Sequence, residues 1–193
     1  DFGLCYELSQ IAVSSGAKPC VFTALQALLN PGDEVILPSP FWVSYIELIR
    51  MAGGVPVIIE TTEADEFKIT AERLAEAITD KTKCMILNNP CNPTGMMYTR
   101  EELEGIAKVC VEKDIYVISD EIYCCLVYDK QEFTSLASLG EEIKERTLLI
   151  NGVSKSYAMT GWRIGYIAAP EWIVKGCNKL QGQYTSGPCS VSQ

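Results

Sequence analysis

The sequence has 193 residues, of which 48% are hydrophobic, and its formal net charge is −9. A chain of this length can bury one sizeable core, and its acidic balance argues against a nucleic-acid or membrane surface. Nine scattered cysteines and the absence of histidine argue against a disulfide framework and a metal site. We therefore expect an acidic, cytoplasmic protein with reduced cysteines, without nucleic-acid or membrane partners.

Apolar runs of strand length recur along the chain and are mostly continuous, as in strands that are covered on both faces. They lie at residues 11–13, 34–37, 55–59, 84–87, 115–118, 147–150 and 164–168. Segments of helical periodicity separate them, at residues 17–29, 42–51, 71–78, 100–113 and 171–180. This alternation predicts an α/β fold with a mostly parallel, doubly wound sheet of about seven strands. Ligands of such sheets bind beyond the carboxyl ends of the strands.

The loops after the first two predicted strands contain candidate ligand-binding residues. Gly16, Ala17 and Lys18 lead into a helix with Pro19 in its first turn. The free N–H groups of such a helix start suit a phosphate, although an ordinary helix cap has the same pattern. Trp42 follows the second strand between prolines and other aromatics. It could stack on a planar ligand or belong to the core.

The loops after the fourth and fifth predicted strands are unusually polar. Asn92 lies in the amide-rich, proline-rich segment 88–95, which could present an amide to a ligand or form an elaborate turn. Asp120 follows an apolar run, with Tyr123 three residues later. A carboxylate near the interior of a sheet needs a cationic or hydrogen-bonding partner, such as a ring nitrogen, but Asp120 could also cap a helix.

Lys155 lies among small and hydroxyl residues after the sixth predicted strand, and Arg163 follows between two glycines. Small neighbours allow another group to approach the lysine closely, as a reactive lysine requires, although a surface lysine followed by a twisted strand has the same pattern. Adjacent Cys124 and Cys125 form a weaker candidate for redox chemistry, because neighbours on a strand point to opposite faces.

Together these loops resemble the class I/II aminotransferases of the pyridoxal-phosphate fold type I, most closely the bacterial-type aspartate aminotransferases. The resemblance covers essentially the whole chain, including the segments 28–35 and 158–163. It implies a three-layer α/β/α large domain over residues 1–193, in which Lys155 forms a Schiff base with pyridoxal 5'-phosphate and later moves the substrate α-proton. Asp120 would pair with the ring nitrogen, and Arg163 would hold the phosphate.

The same resemblance assigns the remaining site residues. Tyr123 and Asn92 would bind the 3'-oxygen of the ring, Asn92 would also reach the substrate carboxylate, and its bond to Pro93 is expected to be cis. Trp42 would stack on the ring beside the substrate. The backbone of Gly16, Ala17 and Lys18 would hold the phosphate.

Two departures from the family pattern stand out. Some relatives carry a phosphate-binding serine three residues before the lysine, where this chain has Gly152, and Ser154 is not assumed to replace it. The family also has an amino-terminal arm, a tyrosine donated across a dimer, and a small domain with a carboxylate-binding arginine, for which we find no counterpart. We therefore expect a partial domain that binds the cofactor without turnover, derived from a homodimeric enzyme.

The leading hypothesis for the parent protein is a ping-pong aminotransferase that moves an amino group between an amino acid, aspartate or glutamate, and a 2-oxo acid. A β-lyase or decarboxylase on the same scaffold is an alternative, because the fold does not determine the chemistry. A truncated, non-catalytic cofactor-binding module is a second alternative.

Overall fold

The computed structural model describes residues 2–193, which form seven strands and seven α-helices. The strands are β1 (Ile11–Ser14), β2 (Glu34–Pro38), β3 (Val55–Ile59), β4 (Thr82–Asn88), β5 (Tyr116–Asp120), β6 (Thr147–Gly152) and β7 (Gly165–Ala168). The helices are α1 (Ala17–Leu28), α2 (Ser44–Met51), α3 (Ala71–Ala77), α4 (Arg100–Glu112), α5 (Glu141–Lys144), α6 (Val153–Ser156) and α7 (Glu171–Tyr184).

The strands form one sheet in the order β1-β7-β6-β5-β4-β2-β3. Every adjacent pair is parallel except the two that involve β7, which runs antiparallel to both β1 and β6. The predicted sheet of seven mostly parallel strands is therefore confirmed. Because β7 is reversed, the residues that precede it lie at the same edge as the carboxyl ends of the other strands.

Helices cover both faces of the sheet, as the continuous apolar runs predict. Val35 and Leu37 of β2 pack in a core with residues of α1, α2 and α7. Ile36 lies between them in the chain and packs on the opposite face, in a core with residues of α3, α4 and α5. Successive side chains of a strand alternate between faces, so each face contributes to its own core. The three-layer α/β/α architecture is confirmed.

The element boundaries differ from the predicted ones at a few places. Helix α2 begins at Ser44 rather than at Trp42, because Trp42 belongs to the preceding proline-containing loop. The short helices α5 and α6 were not predicted, since four residues are too few to show a helical period. Helix α4 starts with a capping box, in which Thr99 and Glu102 each accept from the other's backbone N–H.

The interpretation of Cys124 and Cys125 as strand neighbours on opposite faces is wrong. Both lie in a turn that follows β5, and their Sγ atoms are 3.7 Å apart. A turn does not impose the two-residue alternation of a strand, so adjacent side chains can lie side by side. Within residues 2–193, no helix combines the length and the apolar character needed to cross a membrane.

Candidate active site

A cavity of about 300 Å³ opens at the carboxyl edge of the parallel strands. It brings together residues that are distant in the chain, and all the predicted site residues except Gly16 line it. The lining residues are Ala17, Lys18, Trp42, Tyr45, Asn88, Asn92, Asp120, Ile122, Tyr123, Ser154, Lys155, Thr160 and Arg163. The principle that ligands bind beyond the carboxyl ends of parallel strands therefore located the cavity correctly.

Gly16 lies at the start of α1, directly against the side chain of Arg163. Its φ of 101° is in the region that favours glycine, and a Cβ atom at this position would lie 2.4 Å from Arg163 Nη2. The guanidinium is held in turn by Thr160, whose carbonyl accepts from Nη1 at 2.8 Å. Glycine at position 16 therefore allows the Arg163 guanidinium to lie close to the free N–H groups at the start of α1.

Asp120 is the last residue of β5, and only 3% of its surface is exposed. Tyr45 Oη donates a hydrogen bond to Oδ2 at 2.7 Å, and the Ile122 N–H donates to Oδ1 at 3.2 Å. Burial raises the pKa of the Asp120 carboxyl, and these two donors act in the opposite direction. The site thus holds a desolvated carboxyl group whose ionised form would be favoured by a cation in the cavity.

The amide-rich loop is tied to the end of β5. Asn88 Nδ2 donates to the Asp120 carbonyl at 2.9 Å, while Asn88 Oδ1 accepts from the Asn92 N–H at 2.7 Å. The Asn92–Pro93 bond is cis, as expected. Burial raises the pKa of Tyr123, the Asp120 charge adds to this increase, and Asn92 opposes it. The phenol and both asparagines therefore lie around the carboxyl end of β5.

Lys155 is half-buried on α6, with its Nζ 5.8 Å from the centre of the Tyr123 ring. Trp42, which also lines the cavity, packs edge-on against Tyr45, with ring centres 5.4 Å apart. Lys18 Nζ lies 4.7 Å from the centre of the Trp42 ring. Trp42 belongs both to the cavity wall and to the periphery of the core, so the two interpretations of this residue were not exclusive.

Gly152 has no space for the side chain that some relatives carry there. A Cβ atom at this position would lie 2.7 Å from the Ile164 carbonyl oxygen and 2.9 Å from Gly165 Cα. Backbone atoms cannot move aside as the end of a flexible side chain can. Ser154 lines the cavity, but in the described part of the chain no hydrogen bond of its hydroxyl assigns it a role.

The charges in the cavity favour an anionic ligand. Lys18, Lys155 and Arg163 supply three cationic groups, whereas Asp120 is the single carboxyl group in the lining. The cations lie at the start of α1 and near α6, while the acid lies deep at the end of β5. Such a cavity suits an elongated ligand with an anionic end, a cationic atom near Asp120, and an electrophilic atom near Lys155.

Residues 4–193 match the sequence family described as aminotransferase class I and II. The chain belongs to this family. It is 53% identical to an aspartate aminotransferase of Bacillus sp. (strain YM-2) and 50% identical to that of Bacillus subtilis, each over its whole length. It covers 49% of each of those proteins. The chain thus spans about half the length of the curated relatives it matches.

The fold comparison agrees with this family. The crystal structure of the aspartate aminotransferase from Rhizobium meliloti has a TM-score of 0.96 and 43% sequence identity, over 98% of this chain and 48% of that one. The Thermus thermophilus enzyme with maleate has a TM-score of 0.92 and 44% identity, over 96% of this chain and 47% of that one. Enzymes of this family depend on pyridoxal phosphate.

Tyr45 and Asn88 are cavity residues that the sequence reasoning did not identify. Tyr45 lies on α2, 75 residues before its partner Asp120, and a buried tyrosine on an amphipathic helix has the pattern of a core residue. Asn88 ends β4 within the segment already noted for its amides, so a closer examination of that segment could have selected it. Thr160, which orients Arg163 through its carbonyl, carries no side-chain signal.

Proposed function

We propose that this chain is the cofactor-binding domain of a pyridoxal-phosphate-dependent aminotransferase. The parent protein would move an amino group between an amino acid, aspartate or glutamate, and a 2-oxo acid. One observation carries the proposal: the buried carboxyl of Asp120, the Lys155 amine and the Arg163 guanidinium surround one cavity, in a chain of the aminotransferase family.

The cavity fits pyridoxal phosphate at both of its charged ends. The first N–H groups of α1, at Ala17 and Lys18, have no partner within the helix and would bind the phosphate with the Arg163 guanidinium. Gly16 leaves the space that this arrangement needs, because a Cβ atom would occupy the position of the guanidinium. At the other end, Asp120 would pair with the protonated ring nitrogen.

The remaining lining residues would orient the ring and the substrate. Tyr123 and Asn92 would donate to the ring's 3'-oxygen, and Asn92 would also contact the substrate carboxylate. Trp42 would stack on the ring, held edge-on by Tyr45 at 5.4 Å. These contacts would fix the cofactor against rotation about the line between Asp120 and the phosphate.

The bound cofactor would supply an electron sink for the electrons released at the substrate Cα. Lys155 would hold the cofactor covalently through Nζ. The same amine would move the substrate α-proton, acting as base and then as acid. Asp120 would keep the ring nitrogen protonated throughout.

An acidic substrate is supported by the names of the relatives. The three cations of the lining exceed its one carboxyl group, and this excess matches the charge of the cofactor phosphate. No specific observation favours a β-lyase or decarboxylase. We further propose a homodimeric, cytoplasmic parent protein, supported by the family resemblance and by cysteines that are free in the structure.

Borohydride trapping tests the assignment of Lys155. The chain is incubated with pyridoxal phosphate, reduced with borohydride and digested, and the modified lysine is identified by mass spectrometry. We expect modification at Lys155, its loss in Lys155→Ala, and no change in Lys175→Ala, a matched exposed lysine on α7. Trapping of the cofactor at another lysine would contradict the proposal.

Product analysis with aspartate and 2-oxoglutarate, made on the full-length parent protein, tests the reaction separately. Glutamate and oxaloacetate in equal amounts would support transamination, whereas pyruvate or ammonia without glutamate would assign a lyase. We expect the 193-residue chain to bind the cofactor without turnover, because it covers about half of each relative. Rapid turnover by this chain alone would refute that expectation.

A further inference from the structure

The two adjacent cysteines after β5 form a preorganised pair outside the proposed cofactor cavity. Cys124 and Cys125 place their Sγ atoms 3.7 Å apart within one turn. A disulfide bond would require about 2.05 Å between the sulfurs. Two sulfurs bound to one tetrahedral zinc ion at about 2.3 Å each would be separated by roughly 3.8 Å. The observed separation therefore suits two sulfurs that bind one bridging atom.

A second cavity, of about 370 Å³, lies beside the pair and is separate from the first in its lining. Both cysteines line it, together with the rings of Tyr157 and Tyr166 and the buried carboxyl of Glu121. Glu121 Oε2 has no hydrogen-bond partner among residues 2–193, and the carboxyl is 1% exposed. The cavity thus combines two sulfurs, aromatic walls and an unsatisfied polar atom.

The two thiols differ in access. Cys125 is exposed, whereas Cys124 is buried and accepts a hydrogen bond from Asn151 Nδ2 at 3.1 Å. Burial raises the pKa of Cys124 to about 11, so this thiol stays protonated at neutral pH. An incoming reagent would therefore meet Cys125 first, and Cys124 would close the ring in a second step.

The ligand class follows from the number of donors. Within residues 2–193, no group of three or more histidine, cysteine or acidic side chains could hold a metal ion. Zinc, which takes three or four protein ligands, is therefore a poor match. A trivalent arsenic compound needs only two thiols to form a stable ring, and its organic group could occupy the aromatic cavity.

We propose that Cys124 and Cys125 form a chelating dithiol site for trivalent arsenic compounds. Phenylarsine oxide would react with both thiols to form two As–S bonds. The arsenic-bound oxygen would leave as one molecule of water, which takes the two thiol protons. Arsenic stays trivalent, so the reaction needs no oxidant or reductant. The aryl ring would lie against Tyr157 and Tyr166.

The site is connected to the segment that carries Lys155. Asn151 donates to Cys124 Sγ through Nδ2 and accepts from the Gly152 N–H through Oδ1 at 2.7 Å. Gly152 lies three residues before Lys155, and Tyr123 precedes Cys124 directly. Occupation of the dithiol would therefore also perturb the absorbance of bound pyridoxal phosphate, a consequence that rests on the proposed function.

Mass spectrometry of the intact folded chain with phenylarsine oxide tests the site itself. We expect one phenylarsenic group per chain, removed by ethanedithiol but retained in excess 2-mercaptoethanol. Cys125→Ser, at the exposed position, should weaken binding at least about 100-fold, because loss of one sulfur removes the intramolecular second step. The matched control variants Cys5→Ser and Cys189→Ser replace exposed cysteines and should bind as the wild type does.

Three results would overturn the proposal. These are the absence of an adduct on the folded chain, an adduct that monothiols remove, and an adduct mapped to other cysteines such as Cys20 and Cys177. Conversion of Cys124 and Cys125 to a disulfide under the same conditions would also count against chelation. An adduct at the pair without any change in the cofactor absorbance would support the site but refute its connection to Lys155.

Discussion

Asp120 and Glu121 are neighbours in the chain, and both are buried acids, yet they face different surroundings. Asp120 faces the cavity at the carboxyl edge of the sheet and accepts from Tyr45 Oη. Glu121 faces the second cavity and accepts from the hydroxyls of Ser119 and Ser135, at 2.9 and 2.8 Å. Adjacent residues at the end of a strand thus deliver two carboxyl groups to two separate places.

The two carboxyl groups differ in their hydrogen-bond partners. Burial raises the pKa of both groups, and it raises the pKa of Glu121 to about 7. Asp120 has a donor on each oxygen and still borders a cavity large enough for a cationic partner. Glu121 has hydroxyl donors on one oxygen, and its other oxygen has no hydrogen-bond partner within residues 2–193. Both acids border a cavity, so neither burial nor a cavity distinguishes them. What also differs is the charge of the neighbours, because cationic side chains line the cavity of Asp120 and are absent from the described lining of the cavity of Glu121.

Asp120→Asn should produce the largest of the expected effects, a loss of affinity for pyridoxal phosphate. The amide keeps the size of the side chain but cannot balance a protonated ring nitrogen. Loss of one partner of a buried charge pair costs about 2–5 kcal/mol, so pyridoxal phosphate should bind at least about 30-fold more weakly. Absorbance titration measures this change.

Glu121→Gln is the matched control for Asp120→Asn, since it neutralises the adjacent buried acid. Its affinity for pyridoxal phosphate should stay close to that of the wild type. Equal losses of affinity in the two variants would mean that the two acids do not have separate roles.

Glu121 should make the free energy of unfolding depend on pH, an effect smaller than that of Asp120→Asn on cofactor binding. Its carboxyl titrates near 7 in the folded chain, against an ordinary value of 4.5 that we take for the unfolded chain. Between these values the folded state holds a proton that the unfolded state has lost. The contribution of Glu121 to the free energy of unfolding therefore falls as pH rises from about 4.5 to about 7, by about 3 kcal/mol in total.

Urea unfolding at pH 5 and pH 8 isolates this contribution. Relative to the wild type, Glu121→Gln should gain stability on going from pH 5 to pH 8, since the variant has no carboxyl to ionise at that position. Glu76→Gln, at an exposed glutamate of α3, should differ from the wild type by the same small amount at both pH values. A pH-independent difference for Glu121→Gln would show that its carboxyl does not change charge in this range.

Much of the candidate site was predictable because the sheet is regular. Asn92, Asp120 and Lys155 follow parallel strands, and the carboxyl ends of such strands meet at one edge. Their joint appearance after successive apolar runs therefore indicates a common site from the sequence alone. The seven strands were found for the same reason, since buried parallel strands are continuous apolar runs.

The parts that were missed depend on contacts across the chain or on local geometry. The pairing of Tyr45 with Asp120 joins residues 75 positions apart, and no local pattern encodes it. The local pattern does not separate Asp120 from Glu121, and the family resemblance was what selected Asp120 for the cavity. The turn at Cys124 and Cys125 was read as a strand, because an apolar pair after a strand can continue it or leave it.

Tyr45→Phe should produce the smallest of these effects, and it tests whether the phenol acts through Asp120. The change removes the donor 2.7 Å from Oδ2 and keeps the ring that packs against Trp42. Because a buried carboxyl oxygen loses its partner, the free energy of unfolding should fall by about 1–2 kcal/mol. Tyr184→Phe is the control, since the Tyr184 hydroxyl bonds Gln26 at an exposed position and should contribute little.

A double-mutant cycle separates this hydrogen bond from the packing of the ring. In the Asp120→Asn background the carboxylate is absent, so Tyr45→Phe should cost less there than in the wild type. A coupling free energy of about 1 kcal/mol or more would assign the effect to the pair. A coupling near zero would mean that Tyr45 stabilises the fold only through its ring, and that Asp120 depends on the Ile122 N–H and the ligand for its hydrogen bonds.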